Sequence, residues 1–187
     1  MSLEISKSRL IKNVGLKPHN LPPSEIHKKI DEVRAGEELG ILVLKPGSFS
    51  IDHQYSPLQD RVEGLLSASG LNVIATSCVN LAKAHVHQLY PDIFNPIAVA
   101  DSIKIERLRT DLETYMADCV FSYLLRGNDT MNKIGIIKRS LRKSMGYANG
   151  SINVRNAIHV PDSENLYTDI DILFACNNCQ VCPKNKA

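Results

Sequence analysis

LGILVLKP, residues 39–46, is an apolar run closed by a lysine and a proline. It lacks the alternation of a half-buried strand, so it fits a strand covered on both faces. Pro46 ends it, and Gly47-Ser48 open a loop. Downstream, Ser56-Pro57 pairs a capping residue with proline at the first helical position, and Leu58, Val62, Leu65 and Leu66 recur at helical spacing until Gly70. LNVIATSCV (71–79) is rich in β-branched residues and predicts a second strand, followed by a helix around NLAKAHVHQLY (80–90).

After a turn from Pro91 to Pro96, IKIERLRTDLETYM (103–116) carries Ile105, Leu108, Leu112 and Met116 on one face of a charged surface helix. DCVFSYLLRG (118–127) predicts a strand ended by glycine, and KIGIIKRSLRKSM (133–145) a helix faced by Ile134, Ile137, Leu141 and Met145. SINVRNAIH (151–159) predicts a last strand. Asp162 or Ser163 then caps a final helix bearing Leu166, Ile170, Leu173 and Phe174. Strands and helices alternate, which predicts an α/β or α+β architecture with one sheet covered by helices.

Upstream, residues 1–37 are polar and hold Pro18, Pro22 and Pro23, with one short helix expected in SEIHKKIDEVRA, capped by Ser24. The chain thus divides into an N-terminal extension (1–37) packed outside, a main domain (38–175) and a cysteine-rich tail (176–187). A chain of 187 residues that is 43% hydrophobic can bury one substantial core. A net charge of +2 against 22 basic and 20 acidic residues gives no global field for nucleic acid or a membrane. No apolar window of about 18 residues exists, and MSLEISKSRLIKN lacks a secretory apolar block, so a cytoplasmic protein is expected. Five cysteines, three crowded into the tail, argue against a disulfide scaffold, with Cys78 and Cys119 read as core thiols.

Chemistry concentrates at a few places. His159 follows an apolar pair and precedes Pro161 and a helix start, where free backbone N–H groups favour anions. A histidine there is either a satisfied strand-end residue or a nucleophile toward phosphorus, with one ring nitrogen held and the other free. Lys45 is either an exposed charge where the sheet meets water or a cation for phosphate oxygens. Lys133, Lys138, Arg139, Arg142 and Lys143 lie within one helix; Lys138 with Arg142, and Arg139 with Lys143, fall four apart. They form a solvated face or a cation set for a triphosphate. Neither GxxxxGK[ST] nor GxGxxG occurs. In CNNCQVC, the CxxCxxC spacing of Cys176, Cys179 and Cys182 makes them weak metal candidates that lack a fourth ligand. His85 and His87 point to different sides of a helix and make a poor metal pair.

At Asn156-Ala157-Ile158-His159-Val160-Pro161-Asp162-Ser163 the chain resembles the nucleoside diphosphate kinases, whose signature is asparagine, two residues, then His-Gly-Ser-Asp-Ser. ILVLKPGSFS resembles that family's first strand with its Lys-Pro pair. LLSASGLNVIATSCVNLAKAHVHQLYPDIF resembles its helix, second strand and helix ending in an active-site tyrosine, here Tyr90, and YMADCVFSYLLRG its strand before the nucleotide-binding segment. Order and spacing agree over roughly residues 39–174.

The resemblance implies a ferredoxin-like antiparallel sheet covered by helices and a ping-pong phosphoryl transfer between nucleoside tri- and diphosphates, with Mg2+ on the phosphates, in a homo-oligomer. It casts His159 as the phosphorylated residue, Lys45 as a phosphate and sugar ligand, Asn156 as a sugar ligand, Tyr90 as a neighbour of the histidine and Asp169 as the acid that supports the imidazole, where the family has glutamate. Phe94 stands nearest the family's base-stacking phenylalanine. Arg139 and Arg142 are the cations available where the family's arginines are replaced by Gly135 and Gly146. Val160 and Pro161 replace the glycine and serine after the histidine, and an insertion runs over about 95–109. The alternative is a weak or inactive homologue acting as a nucleotide- or protein-binding module. A third reading treats the cysteine tail as a regulatory metal module.

Overall fold

The computed structural model describes residues 20–48, 56–94, 102–146, 157–175 and 180–181. The apolar run around residue 41 becomes β1 (Glu38–Leu44), the strand on which the molecule is built. Its odd residues Leu39, Ile41 and Val43 enter one core cluster and its even residues Leu42 and Leu44 another, so both faces are covered, as the unbroken hydrophobicity predicted. The elements that follow are α2 (Pro57–Ala68), β2 (Asn72–Asn80), α3 (Lys83–Leu89), α4 (Pro91–Phe94), α5 (Ser102–Met116), β3 (Cys119–Gly127) and α6 (Thr130–Ser144), after α1 (Pro23–Asp31) at the start. Then come β4 (Ile158–His159), a 3₁₀ turn at Ser163–Asn165, α7 (Leu166–Ile170), a π-helical stretch at Asp171–Ala175 and β5 (Gln180–Val181).

The sheet runs β4-β1-β3-β2-β5, and every neighbouring pair is antiparallel. One core unites α1, α3, α5, α7 and the π stretch over one face, through Ile26, Val86, Leu112, Met116, Ile170 and Phe174. The other sets α2 and α6 on the opposite face, through Val62, Leu66, Ile134, Ile137 and Leu141. This is the helix-covered antiparallel α+β architecture expected. α6 reaches β1 closely because Gly40 has no side chain: a Cβ there would lie 2.7 Å from Thr130 Cγ2 and 3.0 Å from Ile134 Cδ1. The Thr130 hydroxyl donates toward the carbonyls of Glu38 and Gly127, fixing the start of α6 against β1 and the end of β3.

Several expectations are corrected. The first helix starts at Pro23 after Pro22, not at a Ser24 cap, because proline already fits the first helical position. Ile26 of that helix is fully buried in the main core, although the segment was expected to pack outside. The strand expected to be last is confined to Ile158–His159 among the described residues and is followed by a further one, β5, while the final helix is broken into 3₁₀, α and π portions. Cys119, expected as a core thiol, is disulfide-bonded, while Cys78 is free and buried, so the partner of Cys119 lies outside the described residues. The register explains how the tail comes near: Cys119 pairs with Asn80, and Asn80 pairs on its other side with Gln180 of β5.

Candidate active site

The β1–β4 ladder brings the two leading residues together. Val43 pairs with His159 and Leu44 with Ile158, and the Lys45 N–H then donates to the Ala157 carbonyl at 2.9 Å. Directly opposed residues share a face and alternate residues along a strand share it too, so His159, Val43 and Lys45 point to the side that carries α3 and α7. Proline at 46 stops the strand one residue beyond the lysine. The Ser48 hydroxyl holds the turn by donating toward the Lys45 and Ala157 carbonyls, and the Tyr115 hydroxyl donates to Pro46 O at 2.9 Å.

Tyr90 closes the same pocket from the C-cap of α3. Its ring lies 4.5 Å from the His159 ring, and the Lys45 ammonium stands 5.6 Å from its centre on the ring face. From the opposite layer, the last turn of α6 reaches round edge strand β4: Arg142 Nη2 donates to Ile158 O at 3.0 Å. Lys138, one turn earlier on α6, acts electrostatically on Lys45, Arg142 and His159.

The electrostatics follow from crowded cations out of water. Burial, then Arg142 and Lys138, pull the Lys45 ammonium down to about 7. Burial first, then Lys45, Lys138 and Arg142, hold the His159 imidazole well below its ordinary value, so the ring is neutral at physiological pH. Lys138 and Arg142 are themselves lowered, mainly by burial. Asp169 is wholly buried on α7, and burial, aided by the Asp162 charge, pushes its carboxyl up to about 7. Burial and the Asp169 charge raise the Tyr90 hydroxyl. A neutral imidazole facing clustered cations is an arrangement that accepts a phosphate and can attack it.

Lys45, Tyr90, Arg142 and His159 therefore converge. Asp169 lies in the same layer, but neither of its oxygens hydrogen-bonds to the imidazole. Phe94 is engaged elsewhere, stacked on His87 with ring centres 4.1 Å apart, and His87 in turn bonds Glu113 at 2.5 Å. Arg139 is exposed, with its guanidinium folded back toward Gly135 on its own helix. Asn156, Cys176, Cys179 and Cys182 lie outside the described residues. Lys138, marked in the sequence by its i,i+4 relation to Arg142 as one of a solvated face or a cation set, acts together with Arg142 on His159. Val160 and Pro161 are buried after the histidine, so both the backbone and the side chains there serve packing.

Solved structures share this fold. The nucleoside diphosphate kinase of Aquifex aeolicus matches 77% of this chain with 99% of its own, at 17% identity and a TM-score of 0.53. The Borrelia burgdorferi enzyme, a transition-state mimic with bound vanadate and ADP, matches 81% with 95% of its own, at 14% identity and 0.52. The NDP kinase of Pyrobaculum aerophilum matches 79% with its full length, at 18% identity and 0.52. At such identities the likeness is one of fold. No protein-family model matches the chain, and no curated protein matches its sequence.

Proposed function

We propose that the chain transfers a phosphoryl group from a nucleoside triphosphate to a nucleoside diphosphate by way of His159. The observation that carries this reading is the neutral His159 ring on the Lys45 face of the sheet, under the combined field of Lys45, Lys138 and Arg142. With Nε2 enclosed, Nδ1 is the attacking nitrogen. It forms a bond to the γ-phosphorus as the bond to the departing diphosphate oxygen breaks, and a second nucleoside diphosphate reverses the step. The cations neutralise charge spread over the equatorial oxygens. Lys45, near 7 in the free protein, gains its proton as the phosphate enters.

Asn156 as a sugar ligand, Phe94 as a base contact and Arg139 as a further cation belong to the same reading, with Phe94 first leaving His87. Magnesium would ride on the nucleotide phosphates. Among the described residues no group of three or more His, Cys, Asp or Glu side chains is placed to hold an ion. A cytoplasmic homo-oligomer completes the proposal; among the described residues no helix is long and apolar enough to cross a membrane.

The test is incubation with γ-labelled ATP and magnesium. A label that is acid-labile and alkali-stable, absent from His159→Ala, supports the proposal, and equal labelling of that variant sinks it. The second reading, a nucleotide- or protein-binding module without turnover, draws on Val160 and Pro161, which supply no hydroxyl beside the histidine. It predicts nucleotide binding with no labelled protein.

A further inference from the structure

Lys45 follows β1 with only 3% of its surface exposed, and its backbone is held from both sides. Its N–H donates to the Ala157 carbonyl, and its own carbonyl accepts from the Ser48 N–H and hydroxyl. With the strand end fixed in this way, the side chain runs inward rather than out to water. Around it stand two more cations, Lys138 and Arg142 of α6, and the face of the Tyr90 ring, whose centre lies 5.6 Å from the Lys45 nitrogen. A lysine taken out of water beside other cations gives up its proton easily and becomes a nucleophilic amine. Burial, then Arg142 and Lys138, bring it down to about 7, so a large share of the protein carries the neutral amine at neutral pH. The Tyr90 hydroxyl is buried without a hydrogen-bond partner, and burial keeps it protonated as a donor. An unmet buried donor is a place for a ligand oxygen.

We propose that Lys45 is a carbonyl-reactive amine and that the pocket takes phosphate esters carrying an aldehyde, with the phosphate on Lys138 and Arg142 and the aldehyde carbon bonded to Lys45 Nζ as an imine. The proposal rests on the phosphoryl-transfer reading only for the cations that meet the phosphate, and it asks nothing of His159. The neutral amine adds its electron pair to the aldehyde carbon, and one of its hydrogens passes to the carbonyl oxygen, which becomes a hydroxyl. The second amine hydrogen and that hydroxyl then leave together as water, and a C=N bond remains. One amine and one aldehyde give one imine and one water, with no oxidant or reductant needed. The Tyr90 hydroxyl is the donor at hand for the departing oxygen.

The pocket selects for both halves of such a ligand. A plain phosphate meets the cations but leaves the neutral amine unused, and an aldehyde without phosphate meets the amine but gains nothing from Lys138 and Arg142. The Tyr90 ring gives the planar C=N group a flat wall to lie against. Lys83 is the contrast within the same chain, being exposed and paired with Glu113. Nucleotide phosphates need the same cations, so the imine blocks them for as long as it lasts and releases them when water reverses it.

The experiment treats the whole protein with pyridoxal 5′-phosphate or with glyceraldehyde 3-phosphate, traps imines with borohydride and locates the reduced adduct by peptide mass. The expected result is one saturating adduct on Lys45 at aldehyde concentrations that leave Lys83 unlabelled, competed by inorganic phosphate. The probe that labels at the lower concentration tells an aromatic from an aliphatic source. Pyridoxal, which lacks the phosphate, should need roughly tenfold more for equal labelling, the worth of one charged contact. Lys138→Met should shrink that preference while Lys45 stays the target. Labelling spread evenly over the lysines, a preference for Lys83, or pyridoxal as effective as its phosphate overturns the proposal. Because no nucleotide is present, a labelled Lys45 in a protein that ATP never phosphorylates would fail the phosphoryl-transfer reading and leave this one standing, and the reverse pair of results would overturn this one alone.

Discussion

A carboxyl as deeply buried as Asp169 burdens the fold, and the sign can be worked out. The folded carboxyl holds its proton up to about 7, whereas the unfolded one ionises near 3.8. Between these values the folded state binds the extra proton, so its contribution to stability falls as pH rises through that window. The full difference is on the order of 4 kcal/mol at most. Asp169→Asn, which cannot ionise, should melt higher than the native protein at about pH 8 and show little difference at about pH 4 in thermal unfolding. Lys45 acts in the opposite sense over a higher range: lowered to about 7, its folded form sheds a proton that the unfolded chain keeps, so stability recovers as pH rises from there. Among the cations, Lys138→Met is the cleaner test, because Arg142 also holds the Ile158 carbonyl. Loss of one charged phosphate contact is worth about 1.5–3 kcal/mol, so steady-state kinetics should give a KM for nucleotide raised roughly tenfold or more.

At the scale of elements, the close meeting of β1 and α6 depends on Gly40. Gly40→Ala should destabilise by about 1–3 kcal/mol in denaturant titration, since backbone strand and Thr130 must part to admit the methyl group. Strands β1, β2 and β3 and helices α2 and α6 were legible in the chain because their apolar residues carry a clear period or an unbroken run. β4 was legible only in part. His159 belongs to a two-residue strand whose existence depends on Val43 and Leu44 opposite it, and a pairing of residues so far apart leaves no local period. The final helix was readable as an amphipathic segment, but its passage from 3₁₀ to α to π reflects packing: Leu166, Ile170, Leu173 and Phe174 all enter one core, and Ser77 donates to the Leu173 carbonyl at 2.6 Å. The site followed the same rule. Lys45 and His159 stood out because a lysine ending an apolar strand and a histidine before a helix start are local signals, whereas Lys138 joins them only by folding α6 past the sheet edge.

Across the whole molecule, the N-terminal helix is part of the core. Ile26 is fully buried among residues that also pack α3, α5 and α7, so Ile26→Ala should cost about 2–5 kcal/mol and lower the melting temperature. Composition gave little hint of this, because α1 is largely polar: Ile26 is its one fully buried side chain, with Ile30 partly buried against the same core. The same layer that α1 completes supplies Tyr90 and Asp169 to the site, while the opposite layer supplies Lys138 and Arg142, and the edge pair β1–β4 presents Lys45 and His159 between them. The proposed role of His159 as a phosphoryl carrier depends on this meeting of two layers. Its most direct test is the intact mass of the protein after mixing with a nucleoside triphosphate and magnesium, with the modified peptide then identified. One added phosphoryl group is expected on the peptide holding His159, lost when a nucleoside diphosphate is supplied and recovered as the triphosphate. An unmodified protein, or an adduct on another residue that persists in His159→Ala, would contradict it.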